Sequence, residues 1–313
     1  MQIVFSFIKT IKILQNMTDN NTKPTFESSL KAFEIENFFD RIAYRPIGYH
    51  IAVRLRSTRI TPNMITVMSI FVGMTAGWLF YYENIWINLA GIAVLICANI
   101  LDCVDGQLAR LTGMKSKVGR ILDGVAGDLW FVSIYVFLAL RLTPHIGGAL
   151  AWILALLAGI SNLVQSNITD YYKTLHLYFI SSKDGIEFDS VENVRKHLEE
   201  MPKCFNRFLY RLYLYYTILQ TTITPCLQKL LALLHTAYPN DVPQEVRQKL
   251  RAQSLKIIPN INLMTFNWRS IILFITLLFG QVWIYLLWEI IVLNIVLIAA
   301  VSRHEKMCRN FQV

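Results

Sequence analysis

Residues 85–111 read IWINLAGIAVLICANILDCVDGQLARL, and residues 119–128 read GRILDGVAGD. The first stretch opens as an apolar run of the length that crosses a bilayer, about 20 residues. Its end breaks the pattern with Asp102, Asp105 and Arg110. The second stretch begins another apolar run and carries Asp123 and Asp128. An ionised side chain inside a membrane span is costly, so such residues are functional candidates.

At about 100° per residue, Asp102, Asp105, Gly106 and Ala109 fall on one narrow helical face. Two carboxylates one turn apart can share a divalent cation. Gly106 and Ala109 leave that face bare, so a flat ligand can approach the backbone. Arg110 ends the helix, where its fork could hold phosphate oxygens. Gly119 and Asp123 share a face of the next helix. Carboxylate oxygens select hard cations, Mg²⁺ or Mn²⁺. Two such ions neutralise a pyrophosphate and activate an attacking hydroxyl.

The flanking sequence has the same membrane character. Of 313 residues, 54% are hydrophobic and 16% charged, and the mean hydropathy is +0.42. The apolar residues gather into six runs: Thr61 to about Tyr82, Ile85 to about Leu111, Gly119 to Leu140, Ala149 to about Thr169, Trp268 to Gly280, and Val282 to Val301. Thr61 and Pro62 suit a helix start, Gly113 suits a helix end, and Thr143 to Gly148 reads as a turn. The expected fold class is therefore all-α integral membrane. Six transmembrane helices are expected, with an N-terminal interfacial amphipathic helix and a helical cytoplasmic insert.

Residues 1–32 read as a flexible leader without a signal-peptide pattern, with Met17 an alternative start. In residues 33–60, Phe38, Phe39, Ile42 and Ile47 alternate with Asp40, Arg41, Arg45 and Arg54, the pattern of a helix lying on a membrane surface and kinked at Pro46. Residues 61–170 hold the first four spans, 171–266 the insert, 267–303 the last two spans and 304–313 a tail.

The net charge is +9. No Lys/Arg stripe interleaved with aromatics points to nucleic acid. The basic residues cluster instead at one set of span ends, with Arg141 alone at the other, so the expected site and both termini face the cytoplasm of a cell inner (cytoplasmic) membrane. Five cysteines without a CxxC pair give neither a disulfide framework nor a zinc site, and the six histidines show no metal-ligand spacing. Cys103 reads as packing, and Asn99 and Asn294 as glue between helices. Span four carries a polar face of Asn162, Gln165, Ser166, Thr169 and Asp170, either an acceptor pocket or interhelical hydrogen bonding. Arg120 suits a phosphorylated substrate, or topology alone.

Asp102-x2-Asp105-Gly106-x2-Ala109-Arg110-x8-Gly119-x3-Asp123 resembles the signature of the CDP-alcohol phosphotransferase family, D-x2-D-G-x2-A-R-x8-G-x3-D-x3-D. The Arg59-Ile-Thr-Pro-Asn63 segment is also similar to that family. The resemblance spans roughly 35–170 and 267–305. It implies six helices around a cytoplasm-facing cavity in a homodimer, two Mg²⁺ or Mn²⁺ ions, and phosphate transfer from a CDP-alcohol donor to an alcohol acceptor with release of CMP. The donor would be CDP-diacylglycerol or a CDP-linked polar head group. By the same resemblance, Asp102, Asp105 and Asp123 are metal ligands, and Asp102, Gly106, Ala109, Arg110 and Gly119 line the CDP site. Arg120, Asn162, Gln165 and Ser166 are the acceptor-side candidates. Among the family's products, an inositol phosphate-containing lipid fits best, with ethanolamine-, choline- or glycerol-phosphate lipids as alternatives. A cation-coupled transporter and a non-catalytic relative are the readings from other classes.

The family's fourth aspartate, a metal ligand and general base, falls on Gly127, and Asp128 stands one residue later. Five residues of regular helix turn Asp128 some 140° away from Asp123. A π-bulge near Gly127 would return it to the site. The expectation is therefore that span three bulges and Asp128 serves as fourth ligand and base.

Overall fold

The computed structural model describes residues 26–29, 34–180, 190–202, 204–238 and 241–311, and the expected leader lies almost wholly outside them. The described residues are helical, without strand. A π-helical turn (Asp40–Tyr44) leads into α1 (Arg45–Leu55). Pro46 thus begins a helix after a widened turn, which spares its ring the clash with a preceding carbonyl. Phe38, Phe39, Ile42 and Ile47 are all exposed.

Among the described residues, six segments have the length and apolarity to cross a membrane. These are α2 (Pro62–Leu79), α3 (Ile85–Thr112), α4 (Lys117–Ile146), α5 (Gly148–Ile180), the pair α10 (Ile258–Leu263) and α11 (Phe266–Leu278), and a final segment. That last one comprises α12 (Val282–Leu287), a π-turn (Trp288–Val292) and α13 (Leu293–Asn310). Four helices of the insert come between: α6 (Val191–Glu200), α7 (Phe205–Ile223), α8 (Pro225–Ala237) and α9 (Gln244–Ser254).

Local chemistry sets the boundaries. The Thr61 side chain accepts from Met64 N, and that of Asn84 from Trp86 N and Ile87 N. Ser116 caps α4 by accepting from Gly119 N at 2.9 Å. Gly113 ends α3 with φ 73, a left-handed conformation glycine adopts freely. Two expected ends move outward. Pro144 sits inside the last turn of α4, and the break falls only at Gly147, φ 85. Proline fits helical φ and there costs one terminal hydrogen bond. Helix α5 continues past Thr169 to Ile180 because Tyr171, Leu175 and Phe179, one turn apart, are buried against the insert helices and α13.

Helices α2 and α4 approach closely. A Cβ on Gly73 would lie 2.3 Å from the Trp130 ring, and one on Gly77 would lie 2.5 Å from Ser133 Oγ. Small residues at such contacts let membrane helices pack backbone to backbone. This packing sets the starts of α2 and α4 beside the end of α3.

Candidate active site

Helix α3 carries Asp102 and Asp105, and α4 carries Asp123. One ligand oxygen from each lies within 4.8 Å of the others. Asp102 and Asp123 are in side-chain contact, and Asp105 is only 3% exposed. Like-charged carboxylates this close require a cation or a shared proton between them. Three hard oxygen donors at this spacing fit Mg²⁺ or Mn²⁺.

The spacing argument misses Thr66 of α2. Its hydroxyl lies 2.5 Å from Asp105 Oδ2 and 3.2 Å from Pro62 O. The signal was faint: a threonine one turn inside a helix start, which usually bonds its own backbone.

Arg110 folds back over the bare face. Its Nη1 and Nη2 each lie 3.4 Å from where a Cβ on Gly106 would stand. Nε donates to the Ser29 carbonyl, whereas Nη2 is buried without a partner. A buried guanidinium N–H left open beside an acidic metal cradle suits a phosphate oxygen. At Gly119 a Cβ would meet Asn63 Oδ1 at 2.8 Å, so glycine is what lets α2 and α4 converge there. Ala109 is half-buried on the same face. Gln107 points elsewhere, donating to Arg45 O at 3.0 Å and Ser29 Oγ at 3.2 Å, which ties the N-terminal segment to the site. Cys103 is buried packing beside Gly48.

The bulge expected in span three is absent: Lys117–Ile146 is regular α-helix throughout. Asp128 accordingly faces away from the three-aspartate group and accepts the hydroxyl hydrogen of Tyr216 from α7. Burial holds the Tyr216 phenol above its ordinary pKa, so it stays a donor. Gly127 occupies the in-register position, and nothing lies within 4 Å of where its Cβ would be. The one proline of α4, Pro144, lies in its last turn, roughly four to five turns beyond Gly127, so the helix around Gly127 keeps its regular bonding.

Within the spans, a π-turn lies instead in the last one, at Trp288–Val292. It presents Glu289 to Arg269 of α11, both buried, in an ion pair. Arg269 also donates to Gln165 Oε1 and to Met264 O, each at 2.8 Å. Gln165 Nε2 donates to Glu289 O at 3.2 Å and to Asn294 Oδ1 at 2.8 Å. Asn294 in turn donates to Ser161 Oγ. Gln165 and Asn162 therefore face a sealed polar knot rather than an open cavity, while Ser166 is half-buried one residue on. Two charges inside apolar runs were the available signal for this pair.

Arg120 donates to Thr174 Oγ1 at 2.9 Å and lies 4.0 Å from Asp170. Among the histidines, His304 comes together with Glu305 and Cys308. In that grouping Glu305 and His304 Nδ1 have partners, whereas His304 Nε2 is buried without one. Glu305 accepts from Cys226 N and Leu227 N at the start of α8, and His304 Nδ1 faces Cys308 Sγ at 3.5 Å.

The sequence that carries this site is similar to known proteins. Residues 59–177 match the family model described as CDP-alcohol phosphatidyltransferase. The archaetidylinositol phosphate synthase of Pyrococcus horikoshii is 36% identical over 116 residues, 37% of this chain and 57% of that one. A bifunctional IPC transferase and DIPP synthase of Aquifex aeolicus is 29% identical over 138 residues, 44% of this chain and 30% of that one. The CDP-diacylglycerol–glycerol-3-phosphate 3-phosphatidyltransferase of Cereibacter sphaeroides is 31% identical over 78 residues, 25% of this chain and 35% of that one. The chain thus spans from about a third to just over half of these relatives.

Proposed function

We propose that the protein is a membrane transferase that moves a phosphate-linked group from a CDP-activated donor to an alcohol, releasing CMP. The observation that carries this reading is the gathering of Asp102, Asp105 and Asp123 within 4.8 Å, beside the open N–H of Arg110. The three aspartates would hold divalent metal, Mg²⁺ or Mn²⁺, which when bound neutralises diphosphate charge. Arg110 orients a phosphate oxygen over the bare Gly106 face, where Ala109 and Gly119 leave room for the nucleotide. The acceptor hydroxyl attacks the β-phosphorus, the P–O bond to CMP breaks, and CMP leaves with that electron pair. Asp123, half-buried and on the same helical face as open Gly127, takes the acceptor's proton. Asp128 is a positioning residue, tying α4 to the insert through Tyr216.

The donor is proposed to be lipid-linked, since the site lies on membrane spans, and the acceptor an inositol-type polyol phosphate. The similarity to an archaetidylinositol phosphate synthase supports that choice. A homodimer in the cytoplasmic membrane, with both termini and the site on the cytoplasmic face, completes the reading. The test is CMP release by purified protein in nanodiscs with Mn²⁺ or Mg²⁺ and a panel of CDP-alcohols and acceptors. Asp102→Asn, Asp105→Asn and Asp123→Asn are expected to abolish release, and Asp128→Asn to keep the metal dependence of the parent. Absence of CMP release with every pair would sink the reading. Cation flux in liposomes would then favour a transporter, and its absence a non-catalytic relative.

A further inference from the structure

The insert builds a pocket that the aspartate motif does not account for. It is a cavity of about 290 Å³ between the start of α4, the later turns of α5 and the insert helices α6, α7 and α8. Its position follows from the helices. Arg120 on its wall follows Gly119 directly and precedes Asp123 by one turn, about 4.5 Å along the axis. Thr217, also on its wall, follows Tyr216, whose hydroxyl holds Asp128. The cavity therefore lies on the insert's side of α4, with Arg120 of its wall one helical turn from Asp123.

Its chemistry is uneven in an informative way. Thr174, Ser190, Thr217 and Thr221 supply hydroxyls, and Gln220 and Gln228 supply amides. Thr217 and Thr221 already donate to backbone carbonyls, and Gln220 and Gln228 to Asn167 and Tyr171, so these groups meet a ligand's hydroxyls mainly as acceptors. Arg120 is the cation of the wall, with Asp170 beside it at 4.0 Å and exposed. One of its N–H groups goes to Thr174, which leaves the rest of the fork for a phosphate monoester. The volume stands at the small end of ligand pockets, roughly 300–1,000 Å³, the scale of a single small head group.

We infer that this insert-built pocket binds a polyol monophosphate and presents it as the acceptor to the aspartate site, so that the insert sets acceptor specificity. The inference rests on the transferase reading for the word acceptor, but the binding itself does not. The experiment is calorimetric titration of inositol 1-phosphate, with glycerol 3-phosphate, free inositol and inorganic phosphate as comparison probes, into the full chain in nanodiscs without CDP donor. Inositol 1-phosphate is expected to bind more tightly than either inositol or phosphate alone. Arg120→Gln is expected to weaken binding roughly tenfold or more, the loss of a charge-assisted contact, with partial rescue by Arg120→Lys. Thr221→Val, on the insert, is expected to weaken it as well. In turnover assays both variants raise the acceptor KM and leave the KM for the CDP donor unchanged. Wild-type protein that binds no polyol phosphate, or Arg120→Gln and Thr221→Val variants that bind it unaltered while remaining monodisperse, overturns the inference. Binding that behaves as expected in a protein that never releases CMP keeps the pocket and removes the transferase reading.

Discussion

Replacing Thr66 by valine removes one hydroxyl and keeps the shape. Thr66 and Asp105 are 2% and 3% exposed, so no water replaces the lost partner of the Asp105 carboxylate. A hydrogen bond to a charged group contributes about 1.5–3 kcal/mol, a roughly ten- to hundredfold change in an equilibrium constant. The helix is not at stake, because backbone N–H groups carry its bonding. The loss should therefore fall on the carboxylate's readiness to hold metal, in line with the roughly 10–100-fold effects of removing an outer partner of a metal ligand. The assay is CMP release as a function of Mn²⁺ concentration. Thr66→Val should shift the metal curve by that factor and approach the parent kcat at saturating Mn²⁺, whereas Thr66→Ser should track the parent. A Thr66→Val curve that overlays the parent, or a Thr66→Ser variant equally impaired, refutes the reasoning.

Breaking the Arg269–Glu289 pair with Glu289→Leu should cost about 3–5 kcal/mol, read by thermal unfolding in nanodiscs, because it strands a buried charge. The double variant Arg269→Met/Glu289→Leu should recover most of that loss, and simple additivity would contradict the role assigned to the pair. Gly127→Asp should be tolerated and should tighten the apparent metal affinity, since its Cβ meets open space on the Asp123 face; a destabilised protein or an unchanged metal curve counts against this placement. The Glu34 carboxylate is held below its ordinary 4.5 by the hydrogen bond from Arg251, with His176 adding to it. Its folded value is lowered, so this clasp stabilises above the ordinary value and is lost as pH falls through the lowered one. Hydrogen exchange in α9 should therefore rise on acidification below that point in the parent and be insensitive to it in Glu34→Gln.

The sequence by itself determined the class of fold, because a bilayer demands runs of fixed length with every backbone group satisfied within the helix. It also determined the Asp102, Asp105 and Asp123 set. Two of these follow from helical period within α3, and the third from a signature of fixed spacing across a short loop. Thr61, Asn84 and Gly113 mark helix ends by chemistry confined to a few residues, and are equally readable. What happens between helices is another matter. Whether α4 bulges depends on what packs around Gly127, and only the folded chain places Asp128 against Tyr216, 88 residues on. The Arg269–Glu289 pair, the Thr66 bond to Asp105 and the reach of α5 into the insert likewise depend on partners distant in sequence. Periodicity reports which face a residue takes on its own helix. It carries no information on which neighbour that face will meet, and here those neighbours decide how Asp105 and Asp128 are held.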